Sequence, residues 1–212
     1  MTGVYAGVSA EDRRAARRAR LLAAGLDVLG SEGSQAATVR AICARARLTP
    51  RYFYESFEDR DALLVAVFDA LAEEAARRVL AAVEAAPDDA VAKSRAAIAA
   101  FVDMLVDDPR TARVLFVEAM GSEVLSRRRL EVLRMFARLI AEQARAFYRP
   151  PRGADRLVDT TAFLLAGGLA ELLMAWVEGN LVASRDELVE DCSALFAATG
   201  EAAVAIARRR VG

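Results

Sequence analysis

The feature that most narrows what this chain can become is its shortage of chain breakers. Twelve glycines and five prolines serve 212 residues. The effective stops fall at Gly33, Pro87-Asp88-Asp89, Asp107-Asp108-Pro109, Gly121, Pro150-Pro151-Arg152-Gly153 and Gly179-Asn180. Between them apolar residues recur at three- and four-residue spacing, and no stretch sustains the period-two alternation of a half-buried strand. The expectation is an all-α protein of about nine helices, near 11–32, 39–46, 50–57, 60–85, 90–106, 110–120, 123–148, 155–179 and 185–210, after a mobile arm at 1–10. With 55% apolar and 28% charged residues, such a chain can fill a sizeable core and is not of the disordered class.

Several functions are set aside by what is missing. There is no histidine, which removes the commonest general base and the commonest metal ligand. Two distant cysteines, Cys43 and Cys192, lie in apolar helical patterns; they cannot make a four-ligand zinc site and read as core residues. No enzyme, cofactor or metal site is therefore expected. No run of 18 apolar residues is free of charge, and Met1–Asp12 has no basic segment followed by an apolar one. These points predict no membrane span, no signal peptide and a cytoplasmic location. Net charge is −1, but residues 1–60 hold ten arginines and seven acidic residues, while the remainder is acidic by four. A modest basic end permits a nucleic-acid partner; a solvated arginine-rich face explains it equally.

The informative stretch is 38–57. Thr38 precedes the short helix Val39–Ala46 as an N-cap. Arg47-Leu48 makes a turn, and Thr49-Pro50 is a second start signal, an N-cap hydroxyl followed by proline at the first helical position. In the helix so opened, Phe53 and Phe57 sit at i, i+4 and turn inward, while Arg51, Tyr52 and Tyr54 face outward. Asp59 then caps a long helix. Two short capped helices joined by a tight turn form a helix-turn-helix pattern, whose second helix can enter the DNA major groove. A helical hairpin in an ordinary all-α domain shares the pattern.

Thr38 to Ala46, Leu48 to Phe57 and Asp59 to Leu63, with one long helix before and one after, resemble the N-terminal domain of TetR-family regulators. The resemblance implies a DNA-binding domain at 11–75 and an effector-binding and dimerisation domain at 76–212. It implies DNA contacts at Thr38 (phosphate), Arg40 (base edges), Thr49, Pro50, Arg51 and Tyr52 (start of the recognition helix), Tyr54 (phosphate) and Arg60 (phosphate). Three positions depart from the family pattern. Arg47 stands where glycine is usual and is strained if the turn needs positive φ. Glu55 and Ser56 replace an aromatic or basic residue and a histidine. Glu55 would repel phosphate, so a neighbouring arginine or a cytosine amino group is its expected partner.

The resemblance further implies a homodimer paired through the last two helices. Leu164, Leu165, Leu169, Leu172, Leu173 and Trp176 carry more apolar surface than one face needs, and Gly167-Gly168 would admit a close neighbour. An effector site is expected among the middle helices, with Phe101, Met104, Leu105, Phe116, Met120, Phe136, Phe163 and Trp176 as candidates and a small hydrophobic molecule as ligand. The reading is a ligand-responsive repressor bound to a double-stranded DNA operator. A transcriptional activator shares every feature, and a helical ligand-binding or interaction protein without DNA binding is the other alternative.

Overall fold

The structure, a computed structural model, describes residues 9–211, and every regular element among them is helical. In order these are α1 (Ala10–Glu32), α2 (Val39–Ala46), α3 (Pro50–Tyr54), α4 (Arg60–Ala85), α5 (Ala90–Asp107), α6 (Pro109–Ala112), a π-helical stretch Arg113–Glu118, α7 (Ala119–Gly121), α8 (Glu123–Tyr148), α9 (Asp155–Val177) and α10 (Arg185–Val211). Counting Pro109–Gly121 as one continuous run, the described residues form nine helices, as expected.

Two boundaries differ from expectation. The first ten residues were expected as an arm, but Ser9 is the N-cap of α1. Its hydroxyl accepts from the Asp12 N–H at 3.0 Å, and the Asp12 carboxylate accepts from the Ser9 N–H at 3.2 Å. This reciprocal capping satisfies two donors that the first turn leaves open. The rest of that arm, residues 1–8, lies outside the described residues. The second short helix ends at Tyr54 rather than Phe57, although the Phe57 N–H still donates to the Phe53 carbonyl at 2.9 Å.

One core ties α1, α2 and α3 to the first turns of α4. Leu21, Val28, Leu29, Ile42, Phe53, Leu63, Leu64 and Phe68 are all fully buried in it. α1 crosses α4 so closely at Gly25 that a Cβ there would lie 2.7 Å from Leu63 Cδ2. α4 then runs on into a second bundle, where α5 packs between α4 and α10, and α8 packs against α4 and α9. A single rigid helix thus belongs to both halves of the molecule.

The stretch expected as a plain helix at 110–120 is wound differently. Pro109 opens it, Asp108 caps it, and from Arg113 to Glu118 the hydrogen bonds reach five residues back. A π turn holds one residue more than an α turn. Here it buries Val114, Leu115 and Phe116 and Glu118 as well.

α9 is the one helix among the described residues with the length and hydropathy to cross a membrane, at a mean hydropathy of 1.6 over its most apolar window. The sequence expectation had set such a helix aside. Only 17% of that window is buried. Leu164 is 67% exposed, Phe163 is exposed beside it, and nothing lies within 4 Å of a Cβ built at Gly167 or Gly168. The helix is apolar on two sides, one packed on α8 and one uncovered.

Candidate nucleic-acid interface and effector cavity

Thr38 caps α2 as expected, its hydroxyl accepting from the Ala41 N–H at 3.2 Å. α2 ends at Arg47 with φ 52° and ψ 46°, the left-handed conformation that glycine adopts more readily. The turn therefore does require positive φ, and arginine supplies it. Its geometry is held by backbone bonds from the Arg47 and Leu48 N–H groups to the end of α2, the latter at 2.9 Å to the Cys43 carbonyl. Thr49 differs from expectation: its hydroxyl makes no capping bond. The Tyr52 N–H donates to the Thr49 carbonyl at 3.0 Å instead, which closes the first turn and leaves the hydroxyl exposed.

α3 is fastened from beneath by Phe53 and Phe57, both buried, with ring centroids 5.7 Å apart. Each such burial contributes about 1.5–3 kcal/mol, enough to hold a five-residue helix that could not stand alone. From the side it is fastened by a row of arginines on α1. Arg14 donates to the Glu55 carbonyl at 2.8 Å, Arg17 pairs with the Glu55 carboxylate at 3.3 Å, and Arg20 donates to the Ala46 carbonyl at 2.6 Å. The Arg17 guanidinium covers the Tyr52 ring at 4.6 Å and that of Arg18 covers Phe57 at 4.9 Å. These contacts went unseen in the sequence, where the row reads as a charged face. Its 14, 17, 18 spacing was the available signal.

The outer surface of this unit carries Thr38, Arg40, Thr49, Pro50, Arg51 and Tyr54, all exposed. Arg51 is 85% exposed at its side chain and Tyr54 61% exposed overall. Tyr52 is half-buried beneath Arg17 rather than free. Glu55 meets Arg17 and, at 3.4 Å, Arg51, so its charge is answered by arginines as expected. Arg60 turns back under the motif: its guanidinium donates to the Ala37 carbonyl at 2.9 Å and to the Ser34 carbonyl.

Below the motif, the π-helical stretch grips the end of α1. Glu118 accepts from the Ser34 N–H at 2.8 Å and from Arg113 Nε at 3.1 Å, while Arg113 also donates to the Ser31 carbonyl at 3.2 Å. Arg110 pairs with Asp27 at 3.1 Å. Gly30 lets this clamp close, since a Cβ there would lie 2.5 Å from Arg110 Cβ. Gly33 carries φ 90° at the turn between the clamp and α2.

The second bundle encloses a cavity of about 320 Å³ between α4, α5, α8, α9 and α10, within the range of sites for drug-sized molecules. A smaller one of about 140 Å³ adjoins it, and Val79, Ala97, Phe136, Ile140 and Phe196 line both. Of the ligand candidates, Phe101, Phe116 and Phe136 line the smaller cavity, and Phe136 the larger as well. Met104 and Leu105 are plain core. Met120 and Phe163 are exposed, and Trp176 packs beside the core with its indole N–H on the Ala183 carbonyl at 2.9 Å. The larger cavity lies nearer the Tyr148 end of α8 than expected. On α10 it is lined by the small side chains Ala203, Val204 and Ala207, while the space at Gly200 is taken by Tyr148, whose hydroxyl would lie 2.6 Å from a Cβ there.

A buried-phenylalanine platform that presents an arginine and a tyrosine from the second helix of a tight helix-turn-helix is the arrangement by which helix-turn-helix proteins meet DNA. Residues 21–67 match the family described as bacterial regulatory proteins, tetR family. That segment, from Leu21 of α1 through the helix-turn-helix to Val67 of α4, is thus similar to the N-terminal domain of that family. No curated protein sequence matches the chain. Among solved structures, the fatty acid degradation regulator FadR from Bacillus halodurans shares the fold with a TM-score of 0.71 at 18% identity, over 85% of this chain and 94% of that one. A transcriptional regulator from Pseudomonas aeruginosa PAO1 scores 0.69 at 21% identity, over 95% and 99% of the two chains. FadR from Bacillus subtilis, in complex with stearoyl-CoA, scores 0.65 at 18% identity, over 88% and 97%.

Proposed function

We propose that this protein is a ligand-responsive repressor that holds its operator as a homodimer and leaves it when a small hydrophobic effector enters the second bundle. In this reading residues 11–75 bind DNA and residues 76–212 bind effector and partner. The protein works in the cytoplasm, where its operator is, and carries out no reaction. The observation that carries the reading is the outward set on a firmly seated unit: Arg51 and Tyr54 project from α3 while Phe53 and Phe57 anchor it. Tyr54, Thr38 and Thr49 hydroxyls meet phosphates; Arg40 and Arg51 reach base edges. Pro50 presets the helix start, and Tyr52 offers its edge beside Arg17. Arg60, folded onto the carbonyls of Ala37 and Ser34, positions α2 as much as it offers charge to phosphate.

The uncovered face of α9, with Phe163, Leu164 and the open Gly167-Gly168 step, supports pairing with a second copy through the last two helices. The complex of a FadR with stearoyl-CoA supports an apolar effector for this fold. A filled cavity would press on Leu115 and Phe116, which line it, and so on the π-helical clamp that grips Ser34. Effector binding that favours another placement of the motif shifts the population away from the DNA-competent state.

Electrophoretic mobility shift on the DNA upstream of the protein's own gene tests the reading. We expect a shifted band that weakens steeply with salt. Affinity unchanged by Arg51→Ala combined with Tyr54→Phe would refute the site assignment. A reporter driven from the same DNA separates repression from activation.

A further inference from the structure

The two mostly apolar cavities carry three charged side chains among the described residues: Asp88 and Lys93 on the larger and Arg129 on the smaller. The pairs they belong to are lopsided. Lys93 is 26% exposed, but Asp88, 3.4 Å from it, is 90% exposed. Arg129 is 16% exposed, but its partner Glu171 is 59% exposed. In both pairs the cation is the more buried partner and the carboxylate the more exposed; Glu171 lies off the cavity lining, whereas Asp88 stands at the rim of the larger cavity beside Lys93. A solvated carboxylate gives up its partner at little cost, so each cation is available to a second anion.

Lys93 has the better setting. It stands in the first turn of α5, just after the Asp89 carboxylate that caps that helix by accepting from the Ala92 N–H at 2.8 Å. Ser94, Gln143, Tyr148 and Thr161 line the same cavity and supply polar groups. Burial, with the carboxylates of Glu201 and Asp89 nearby, pushes the Tyr148 phenol above its ordinary value. It therefore remains a donor, and its present bond to the Ala197 carbonyl is long, at 3.4 Å. Arg129 by contrast lines the smaller cavity alone, paired with Glu171. Lys93 is also the chain's single lysine beside 28 arginines.

We propose that the effector is an amphipathic organic anion, its carboxylate or similar head seated on Lys93 and its apolar body extending past Phe136 toward the smaller cavity. The proposal rests on the reading of this cavity as the effector site, and it adds the sign of the ligand's charge and the direction in which it lies.

Calorimetric titration of the full-length protein with decanoate, decanol and decyltrimethylammonium, below their micellar concentrations, tests it. Decanoate is expected to bind at least tenfold tighter than either other probe. Lys93→Met should bring decanoate to the level of decanol while decanol itself is unchanged, and Arg129→Met should preserve the preference. Because Lys93 is the only lysine, peptide-resolved mass spectrometry after amine acylation gives a second readout: decanoate should protect it and decanol should protect it less. Equal binding of decanoate and decanol, tightest binding of the ammonium, or a preference that survives Lys93→Met would overturn the proposal and leave the cavity as an effector site. Failure of all three probes to bind would overturn both. The wild-type comparison of head groups stands whether or not a variant folds.

Discussion

Arg47 sits at φ 52° in a turn that a glycine would enter without steric cost. The left-handed conformation costs an ordinary residue about 1–2 kcal/mol, part of which glycine would return as lost chain entropy. Arg47→Gly should therefore raise stability by about 1 kcal/mol, measurable as a higher midpoint in thermal or urea unfolding, since the carbonyl that accepts from Arg20 is retained. Tyr54→Phe removes one hydroxyl from an exposed ring without touching Phe53 or Phe57. It should weaken operator binding by about 2 kcal/mol, the worth of a hydrogen bond to a charged group, with no change in the melting midpoint. Arg51→Ala should cost about 1–3 kcal/mol and relax selectivity at one base position, which a binding-site selection would reveal. These residues were legible in sequence because their reasons are local: caps, a proline, an i, i+4 aromatic pair. The arginines of α1 were not, because their partners Glu55, Ala46 and Tyr52 lie far along the chain. The idle Thr49 hydroxyl was misread because a backbone bond took its place.

The π-helical stretch is the element on which the two halves meet. One side of it, Leu115 and Phe116, faces the smaller cavity, and its end, Glu118, holds the Ser34 N–H. Glu118→Ala would leave a partly buried amide and Arg113 short of an acceptor. We expect a loss of about 1–3 kcal/mol in unfolding. The more telling outcome is in regulation: decanoate should still bind the variant but should alter its operator affinity much less than it alters that of the wild type. Equal response in both proteins would remove the clamp from the signalling route. Sequence periodicity could not reveal this winding, because Val114 to Val117 is uniformly apolar and an inserted residue leaves no gap in the pattern. It could not place the cavity either. Large aromatic residues drew attention to the middle helices, whereas the larger cavity is lined by small residues on α10 together with Gln143 and Tyr148.

For the molecule as a whole, the helix order and the all-α class followed from where the breakers fall, and the long α4 joins a basic end to an acidic one. The uncovered side of α9 had been anticipated from its excess of leucine, though its full extent emerged only once α8 was seen to cover a single side. Leu164→Glu, placed on that open face, should leave the fold intact, shift sedimentation from dimer to monomer and reduce operator affinity by more than tenfold. A variant that remains dimeric would move the pairing surface elsewhere. The same open face carries a consequence for dosage. When a DNA reader is completed only by a second copy, occupancy in the dilute regime rises with the square of its concentration rather than in proportion to it. A regulator that represses its own gene would then set its level by a threshold, sharp enough that a modest fall in supply releases the promoter before any effector arrives.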